Sequence, residues 1–423
     1  MLGASTSCRW RSVILPCPTT WLRVGEGMRV QAIHVADGAR TWTVLGDDHC
    51  CVEPIEEFLE YHRVLGSSPN TVRSYAKGLQ LWWAFVAENG VSWEDPGVQS
   101  LREFLTWLAT GLSPSVTPLG RADASLPKMA EATISARLAS VVSFYRYHHD
   151  VHGRGGLIAR ASAGPARRGR YRPMLTHLES RRQRPSSPLR LRRQRSGPPP
   201  LLSPAQVGAI LDGCATFDAV AGVWRGSLRD RLLFATLVET GMRLGEALSL
   251  THADWLVGRG DTPFVEVVPK EHPHGQRVKG GRHRRIYVSD SLERLYSDYL
   301  WSLAEAAEEA GRTLEDGWFV FVNLAREPRF APMRPENVYA TVRRLRRTLG
   351  DAVPEGWSPH WARHTHATAL LLAGVPEHVV SRRLGHADVQ TTMDIYGWVT
   401  EDAEMRAAAE WHRFAEGWRT SGD

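Results

Sequence analysis

The sequence predicts a mainly α-helical protein with a small β-sheet in its second half. Apolar residues recur at helical spacing in several segments, most clearly between residues 72 and 86. Three helical segments open on a Ser-Pro pair, which supplies an N-cap hydroxyl and a proline at the first helical position. These pairs begin at Ser68, Ser203 and Ser358. Residues 264–269 and 285–288 have the composition of paired strands, and residues 319–322 that of a further buried strand.

A chain of 423 residues with 43% hydrophobic residues is long enough for two domains with packed cores. The predicted segments are an N-terminal extension (1–48), a helical domain (49–152), a linker (153–200) and a second domain (201–423). We expect the extension to be partly disordered or to form a small hairpin over residues 29–45, with translation expected to start at Met1 or at Met28. Thr133 is expected to cap the fourth helix, and residues 401–419 to form a final amphipathic helix.

The basic charge of the chain is concentrated in the linker. Between Arg154 and Arg195 there are 13 arginines and one acid, Glu179, a net charge of +12. Because the whole chain carries +6, the remainder carries 6 − 12 = −6. Such a local concentration predicts contact with a polyanion, and a disordered solubilising loop is the alternative.

Other features narrow the class of protein. No run of about 20 apolar residues is present, so we expect no membrane span. The five cysteines, of which Cys50 and Cys51 are adjacent, show neither a disulfide framework nor a zinc spacing. A cytoplasmic, reduced protein is therefore expected.

Residues 358–396 contain the densest set of chemically active side chains. His360 and Arg363 lie three residues apart, so they share one face of a helical turn. Arginine offers a planar fork to two phosphate oxygens, and histidine adds a hydrogen bond or a proton. Leu384-Gly385-His386 follows, and Tyr396 comes ten residues after His386. No acid cluster accompanies them, so a phosphate-binding site is favoured over a metal site.

This ordered set resembles the C-terminal signature of the tyrosine recombinases, also called the phage integrase family. The segment from Thr240 to Leu250 resembles the family's first box, Thr-Gly-x-Arg-x-x-Glu-x-x-x-Leu. It contains Arg243 at a helix start, and Glu246 three residues later is expected to orient that arginine. The match covers residues 240–398, with weaker agreement over residues 52–150.

The resemblance implies a mechanism that needs no metal or cofactor. Tyr396 would attack a DNA phosphate and form a 3′-phosphotyrosyl link while a 5′-hydroxyl leaves. Arg243 and Arg363 would neutralise the transition-state charge, with His386 as a further donor. His360 is the expected general base.

Lys279 is the expected general acid for the leaving 5′-oxygen. It lies in Lys-Gly-Gly-Arg-x-Arg, which resembles the turn that contains the family's catalytic lysine. Independently, only four of the 52 basic residues are lysines, and a lysine can release a proton near neutral pH whereas an arginine cannot. Lys270 is the alternative, although it follows Pro269 and lacks this context.

The partner implied by the resemblance is double-stranded DNA, bound by a dimer at each site and a tetramer in synapsis. Accessory recombination factors and association with the nucleoid are further expectations. The residues expected to contact DNA are Thr71, Arg73, Lys77, Arg137, Arg181, Arg182, Arg190, Arg192, Arg193, Arg282 and Arg284. For the helical-domain residues, ordinary solvated helix faces are the alternative.

Three other functions remain to be weighed. A topoisomerase with the same chemistry would nick and reseal DNA without synapsis. A catalytically inactive DNA-binding regulator would retain the fold but lose at least one active residue, whereas all six positions are filled here. A metal hydrolase using His360, His364, His366 and His386 is disfavoured, because His360 and His364 are four residues apart but no glutamate lies between them. The extension and the long linker favour a mobile-element recombinase.

Overall fold

The computed structural model describes residues 28–35, 40–110, 129–154, 156, 199–256, 262–270, 272–273, 283–325, 327–386, 389–390, 392–393 and 395–396. Two compact units are present, Met1–Arg193 and Gln194–Asp423. Most of the predicted linker and the helix expected at residues 401–419 lie outside the described residues. No described helix combines the length and the apolar composition that crossing a membrane requires.

The first unit is a helical bundle with one antiparallel strand pair. Its elements are β1 (Arg29–His34), β2 (Arg40–Leu45), α1 (Glu53–Val64), α2 (Pro69–Glu88), α3 (Val98–Thr110) and α4 (Glu131–His152). The pairing of Val30 with Val44 confirms the hairpin expected over residues 29–45. Trp82 is fully buried between the helices, where its indole N–H donates to the Tyr145 hydroxyl at 2.8 Å. Thr133 lies inside α4, which begins at Glu131, so the predicted cap at Thr133 was wrong.

The second unit is also mainly helical. Its helices are α5 (Pro204–Cys214), α6 (Leu228–Thr240), α7 (Leu244–Leu248), α8 (Asp290–Glu309), α9 (Pro335–Leu349), α10 (Pro359–Leu372) and α11 (Glu377–Leu384). Its strands are β3 (Ala215–Asp218), β4 (Val223–Gly226), β5 (Trp255–Leu256), β6 (Phe264–Val267) and β7 (Arg284–Tyr287). One hydrophobic cluster joins most of these elements, and Leu232, Val265, Ile286 and Phe321 lie at its centre, all fully buried.

The small sheet of the second unit holds its strands in the order β5-β6-β7, all antiparallel. It matches the two strands predicted around residues 264–269 and 285–288. Residues 319–322 form two isolated bridges, from Phe319 to Thr251 and from Val322 to Pro332, rather than the strand that was predicted. The side chains of Val320 and Phe321 are nevertheless fully buried. The apolar pattern therefore predicted their burial correctly, although it did not predict their backbone pairing.

The Ser-Pro pairs begin helices as expected, but their hydroxyls act differently. Ser68 accepts the backbone N–H of Thr71, and Ser203 forms a reciprocal capping box with Gln206. Ser358 precedes α10 without a side-chain cap. At that helix Pro359 occupies the first position, and His360 and Arg363 follow in the first turns.

Candidate active site

Arg243 lies directly before α7, after a turn that requires glycine. Gly241 ends α6 with φ 64°, the left-handed region that side chains disfavour. A Cβ there would also lie 2.5 Å from His366 Cδ2. Glu246 accepts the Arg243 backbone N–H at 2.9 Å and its guanidinium at 3.0 Å, so the expected contact is present. The arginine is thereby held at the helix N-terminus, where backbone amides add to its positive charge.

Arg284 is the second ion-pair partner of Glu246, which argues against its predicted contact with DNA. Its side chain is buried, and its guanidinium lies 2.6 Å from Glu246 Oε2. It also donates to the Arg383 carbonyl at 2.9 Å. A Cβ on Gly385 would lie 2.8 Å from Arg284 Nη1, so this glycine leaves room for the guanidinium. Arg284 therefore balances the charge of buried Glu246 and contacts the backbone just before His386.

Arg363 is fixed by backbone carbonyls rather than by an acid. It lies one turn into α10 with 3% of its surface exposed. Its Nη1 and Nη2 atoms donate to the carbonyls of Gly241 and Leu384 at 2.8 and 2.9 Å. Burial, followed by the charge of Arg243, lowers the pKa of Arg363 to about 10, so the guanidinium stays charged at neutral pH. Carbonyls orient the side chain and leave its full charge for a ligand.

Tyr396 is buried and hydrogen-bonded to a histidine that was not assigned to the site. Its hydroxyl lies 2.9 Å from His364 Nδ1, and 2% of the residue is exposed. Apolar contacts with Ala367, Val380 and Leu384 surround the ring. Burial raises the pKa of Tyr396 to about 12, partly opposed by Arg363, so the phenol is protonated at neutral pH.

His364 and His386 are neutral in the neutral pH range. Burial, then the charges of His360 and Arg363, lowers the pKa of His364 to about 4. Burial, with Arg363 and Arg243 next, lowers the pKa of His386 to about 4, and its Nδ1 lies 2.7 Å from the Thr392 hydroxyl. His360 is exposed and packs edge-on against His364, with ring centroids 4.5 Å apart. Desolvation of its ring by the surrounding protein, followed by the charges of Arg363 and Arg243, lowers the pKa of His360 as well.

Of the two lysines considered as the general acid, the structure describes Lys270 and not Lys279. Lys279 and Arg282 lie outside the described residues, as do the five linker arginines expected to contact DNA. Lys270 is described, and its ammonium contacts the Asp254 carboxylate and, at 2.8 Å, the Thr251 hydroxyl. This ammonium is therefore held by an acid in the second unit, which argues against the alternative general acid.

The helical-domain residues expected to contact DNA form a basic cluster within the first unit. Arg73 lies over the Trp42 ring at 4.4 Å, and Arg137 donates to the Ser74 carbonyl at 3.3 Å. Partial burial, then the charges of Arg73 and Arg137, lowers the pKa of Lys77, so the three cations of α2 and α4 are close together. Thr71 is exposed near the start of α2, where its hydroxyl pairs with that of Ser68 at 2.9 Å.

The second unit thus combines a buried tyrosine, two fixed arginines and neutral histidines. Among the residues of this site that the structure describes, Glu246 is the acid, and it is buried and paired with Arg243 and Arg284. This constellation suits a phosphoryl transfer in which a tyrosine is the nucleophile. Sequence reasoning missed His364 as the partner of Tyr396 and Thr392 as the partner of His386. The spacing of His360 and His364, one turn apart on α10, was the signal available for the first of them.

Comparisons with known proteins agree with this class. Residues 201–402 match the phage integrase family, and residues 55–150 match the N-terminal SAM-like domain of phage integrases. Transposase A from transposon Tn554 of Staphylococcus aureus is 30% identical over 373 residues, which cover 87% of this chain and 94% of that protein. Tyrosine recombinase XerC of Rhodospirillum centenum is 29% identical over 340 residues, 79% of each chain.

Solved structures share the fold at low sequence identity. XerH site-specific recombinase bound to palindromic difH substrate aligns with TM-score 0.54 and 18% identity, over 86% of each chain. The Tn1549 transposon integrase in complex with transposon right end DNA aligns with TM-score 0.52 and 16% identity, over 84% of this chain and 99% of that one. This chain belongs to the phage integrase family and is a DNA breaking-rejoining enzyme, a tyrosine site-specific recombinase. The topoisomerase and the inactive regulator are not favoured.

Proposed function

We propose that this chain is a mobile-element recombinase that cleaves and rejoins DNA through a 3′-phosphotyrosine at Tyr396. The observation that carries the proposal is the hydrogen bond from the buried Tyr396 hydroxyl to neutral His364, beside the fixed guanidinium of Arg363. The similarity to a transposase over 94% of that protein's length supports the mobile-element role. A dimer on each DNA site, a tetramer in synapsis and action at the nucleoid in the cytoplasm belong to the same proposal.

The residues divide the chemistry among them. Arg243 and Arg363 bind the non-bridging oxygens of the scissile phosphate and stabilise the charge that develops there. His386, oriented by Thr392, donates a further hydrogen bond. His360 accepts the tyrosine proton as Tyr396 attacks phosphorus, and Lys279 protonates the departing 5′-oxygen. The phosphodiester energy is kept in the phosphotyrosine, so a 5′-hydroxyl can reverse the step without a nucleotide.

The geometry also implies that Tyr396 must leave its apolar surroundings before it reacts. The phenol ring packs among Ala367, Val380 and Leu384, and burial raises the pKa of Tyr396 to about 12, so the hydroxyl keeps its proton there. DNA binding is therefore expected to bring the phenol to the arginines while its hydrogen bond to His364 is kept. Holding the nucleophile inside the unit keeps it inactive when DNA is absent.

Replacing Tyr396 with phenylalanine tests the proposal. The Tyr396→Phe variant should bind DNA with wild-type affinity but form no covalent adduct on a nicked suicide substrate, because its ring lacks the nucleophilic oxygen. Tyr339→Phe, at a partly exposed tyrosine on α9, is the matched control and should form the adduct normally. An adduct formed by Tyr396→Phe and mapped to another tyrosine would overturn the assignment.

A further inference from the structure

A second group of ligand-type side chains lies in the first unit, away from every residue discussed so far. A carboxylate oxygen of Glu57 and one ring nitrogen each from His148 and His152 all lie within 4.8 Å of one another. The two histidines are one turn apart on α4, so they share a face of that helix. Glu57 comes from α1, and its Oε1 atom lies 2.6 Å from His152 Nε2.

The tautomer of His148 follows from its surroundings. Its Nε2 atom lies 3.0 Å from the Pro54 carbonyl, which can only accept, so Nε2 carries the hydrogen. With the hydrogen on Nε2, the imidazole keeps a lone pair on Nδ1. In the described part of the chain this Nδ1 atom is buried without a hydrogen-bond partner. A histidine that donates one ring N–H to a backbone carbonyl and leaves its other nitrogen free is in the state typical of a metal ligand.

Glu57 is likewise in its ligating state and supported from outside the cluster. The Tyr147 hydroxyl donates to Glu57 Oε1 at 3.1 Å. A carboxylate fixed by a second donor is the usual partner of two imidazoles at a metal. The side chains of Glu57 and His152 are 42% and 36% exposed, so an ion can reach them.

We propose that Glu57, His148 and His152 form a zinc site that fastens α1 to the last turn of α4. Two imidazoles and one carboxylate are ligands that Zn²⁺ prefers, and water can complete a tetrahedral set. Ligand atoms about 2 Å from zinc lie roughly 3.3 Å apart, so the contact between Glu57 and His152 lengthens by a small side-chain movement. Because α4 ends at His152, the ion fixes the helix end from which the arginine-rich linker departs.

Zinc titration of the chelator-stripped full chain tests this site. The wild-type chain should bind one more equivalent of Zn²⁺ than His152→Ala or Glu57→Gln, and Co²⁺ in the same site should give a tetrahedral absorption spectrum without a thiolate band. His149→Ala, on the same turn of the same helix, is the matched control and should keep the full stoichiometry. Tyr147→Phe removes only the donor to Glu57, and zinc affinity should fall about tenfold or more.

A zinc-dependent rise of the unfolding midpoint gives a second measurement. The rise should be present in the wild-type chain and in His149→Ala, and absent in His152→Ala even where that variant is equally folded without zinc. Equal stoichiometry in all the variants, or a midpoint that zinc moves equally in wild type and His152→Ala, would leave Glu57 and His152 as an ion pair only and overturn the proposal. DNA cleavage is not the readout, so the outcome is separate from that of the Tyr396 experiment.

Discussion

The two units of this protein hold their basic residues in different ways. In the second unit, Arg243 and Arg284 bracket Glu246, and Arg363 is fixed by two carbonyls. In the first unit, Arg73, Lys77 and Arg137 form no ion pair within the part of the chain that the structure describes. A held guanidinium is suited to one phosphate in one geometry, where misplacement costs rate. A cation without an acidic partner is suited to contact many phosphates and contributes to affinity.

The largest expected effect is at Lys279, whose ammonium must donate a proton to the leaving 5′-oxygen as well as carry a positive charge. Lys279→Arg keeps the charge but cannot donate a proton near neutral pH, so cleavage should fall on the order of 10²-fold or more. Lys279→Ala should show a similar loss. Single-turnover cleavage of a suicide substrate measures both.

A substrate with sulfur at the 5′-bridging position is the control for that result. Thiolate leaves without protonation, so this substrate should restore cleavage to the Lys279 variants but not to Arg243→Ala. If Lys279→Arg cleaves the ordinary substrate at a normal rate, the lysine acts only through its charge. Rescue confined to Lys270 variants would move the role to that residue.

Arg284 tests whether the held arginines act on rate. Arg284→Met should slow cleavage by about 10²-fold at unchanged DNA affinity, because Glu246, which holds Arg243 in place, loses its second ion-pair partner. Arg285→Met, at the next residue on β7 and paired with Glu266 at 2.7 Å on the surface, should be nearly neutral. Cleavage and binding are measured separately, by suicide-substrate kinetics and fluorescence anisotropy.

Removing one partner of a buried ion pair also costs stability, roughly 3–5 kcal/mol. The unfolding midpoint of Arg284→Met should therefore fall. The double variant Glu246→Gln/Arg284→Met removes the unpaired charge and should recover stability but not rate. A folded Arg284→Met with the wild-type rate would show that Glu246 holds Arg243 without help.

The sequence predicts the parts of this site that depend on local structure. His360 and Arg363 share a face because they lie three residues apart in α10. Glu246 reaches Arg243 because Arg243 lies directly before α7 and Glu246 is the third residue of that helix. The partners of Arg284 and Tyr396 are 38 and 32 residues away in the chain. Which of two neighbouring arginines enters the interior depends on how the sheet packs on α7 and α11, and the composition of a loop does not contain that information. The β3–β4 hairpin was missed for a similar reason, since its four-residue strands are too short for a periodic signal.

The histidine pair on α10 separates a base from a positioning residue. His364→Ala should slow cleavage about tenfold, the equivalent of one hydrogen bond to the phenol. Because burial lowers the pKa of His364 to about 4, its ring is neutral from about pH 6 to about pH 8, and the loss should not vary across that range. His360→Ala should instead change the shape of the pH profile. A pH profile altered by His364→Ala and not by His360→Ala would exchange their roles.

The smallest effect on the cleavage rate is expected from the cations without an acidic partner. Their contribution should be measured as the dependence of DNA affinity on salt concentration. Replacing Arg73, Lys77 and Arg137 with alanine should reduce the slope of log affinity against log salt by up to about 2.7, or about 0.9 for each lost phosphate contact. Alanine at the five linker arginines named above should reduce it by up to about 4.5.

Arg63→Ala is the matched control, because Arg63 already pairs with Glu56 and Glu60. Its slope should equal that of the wild type. With saturating DNA, cleavage by the triple variant should remain near normal, since none of these residues is held against the reacting phosphate. A slope that does not change would mean that these cations are solvated helix faces, and a rate that falls at saturation would mean that they position DNA as well as attract it.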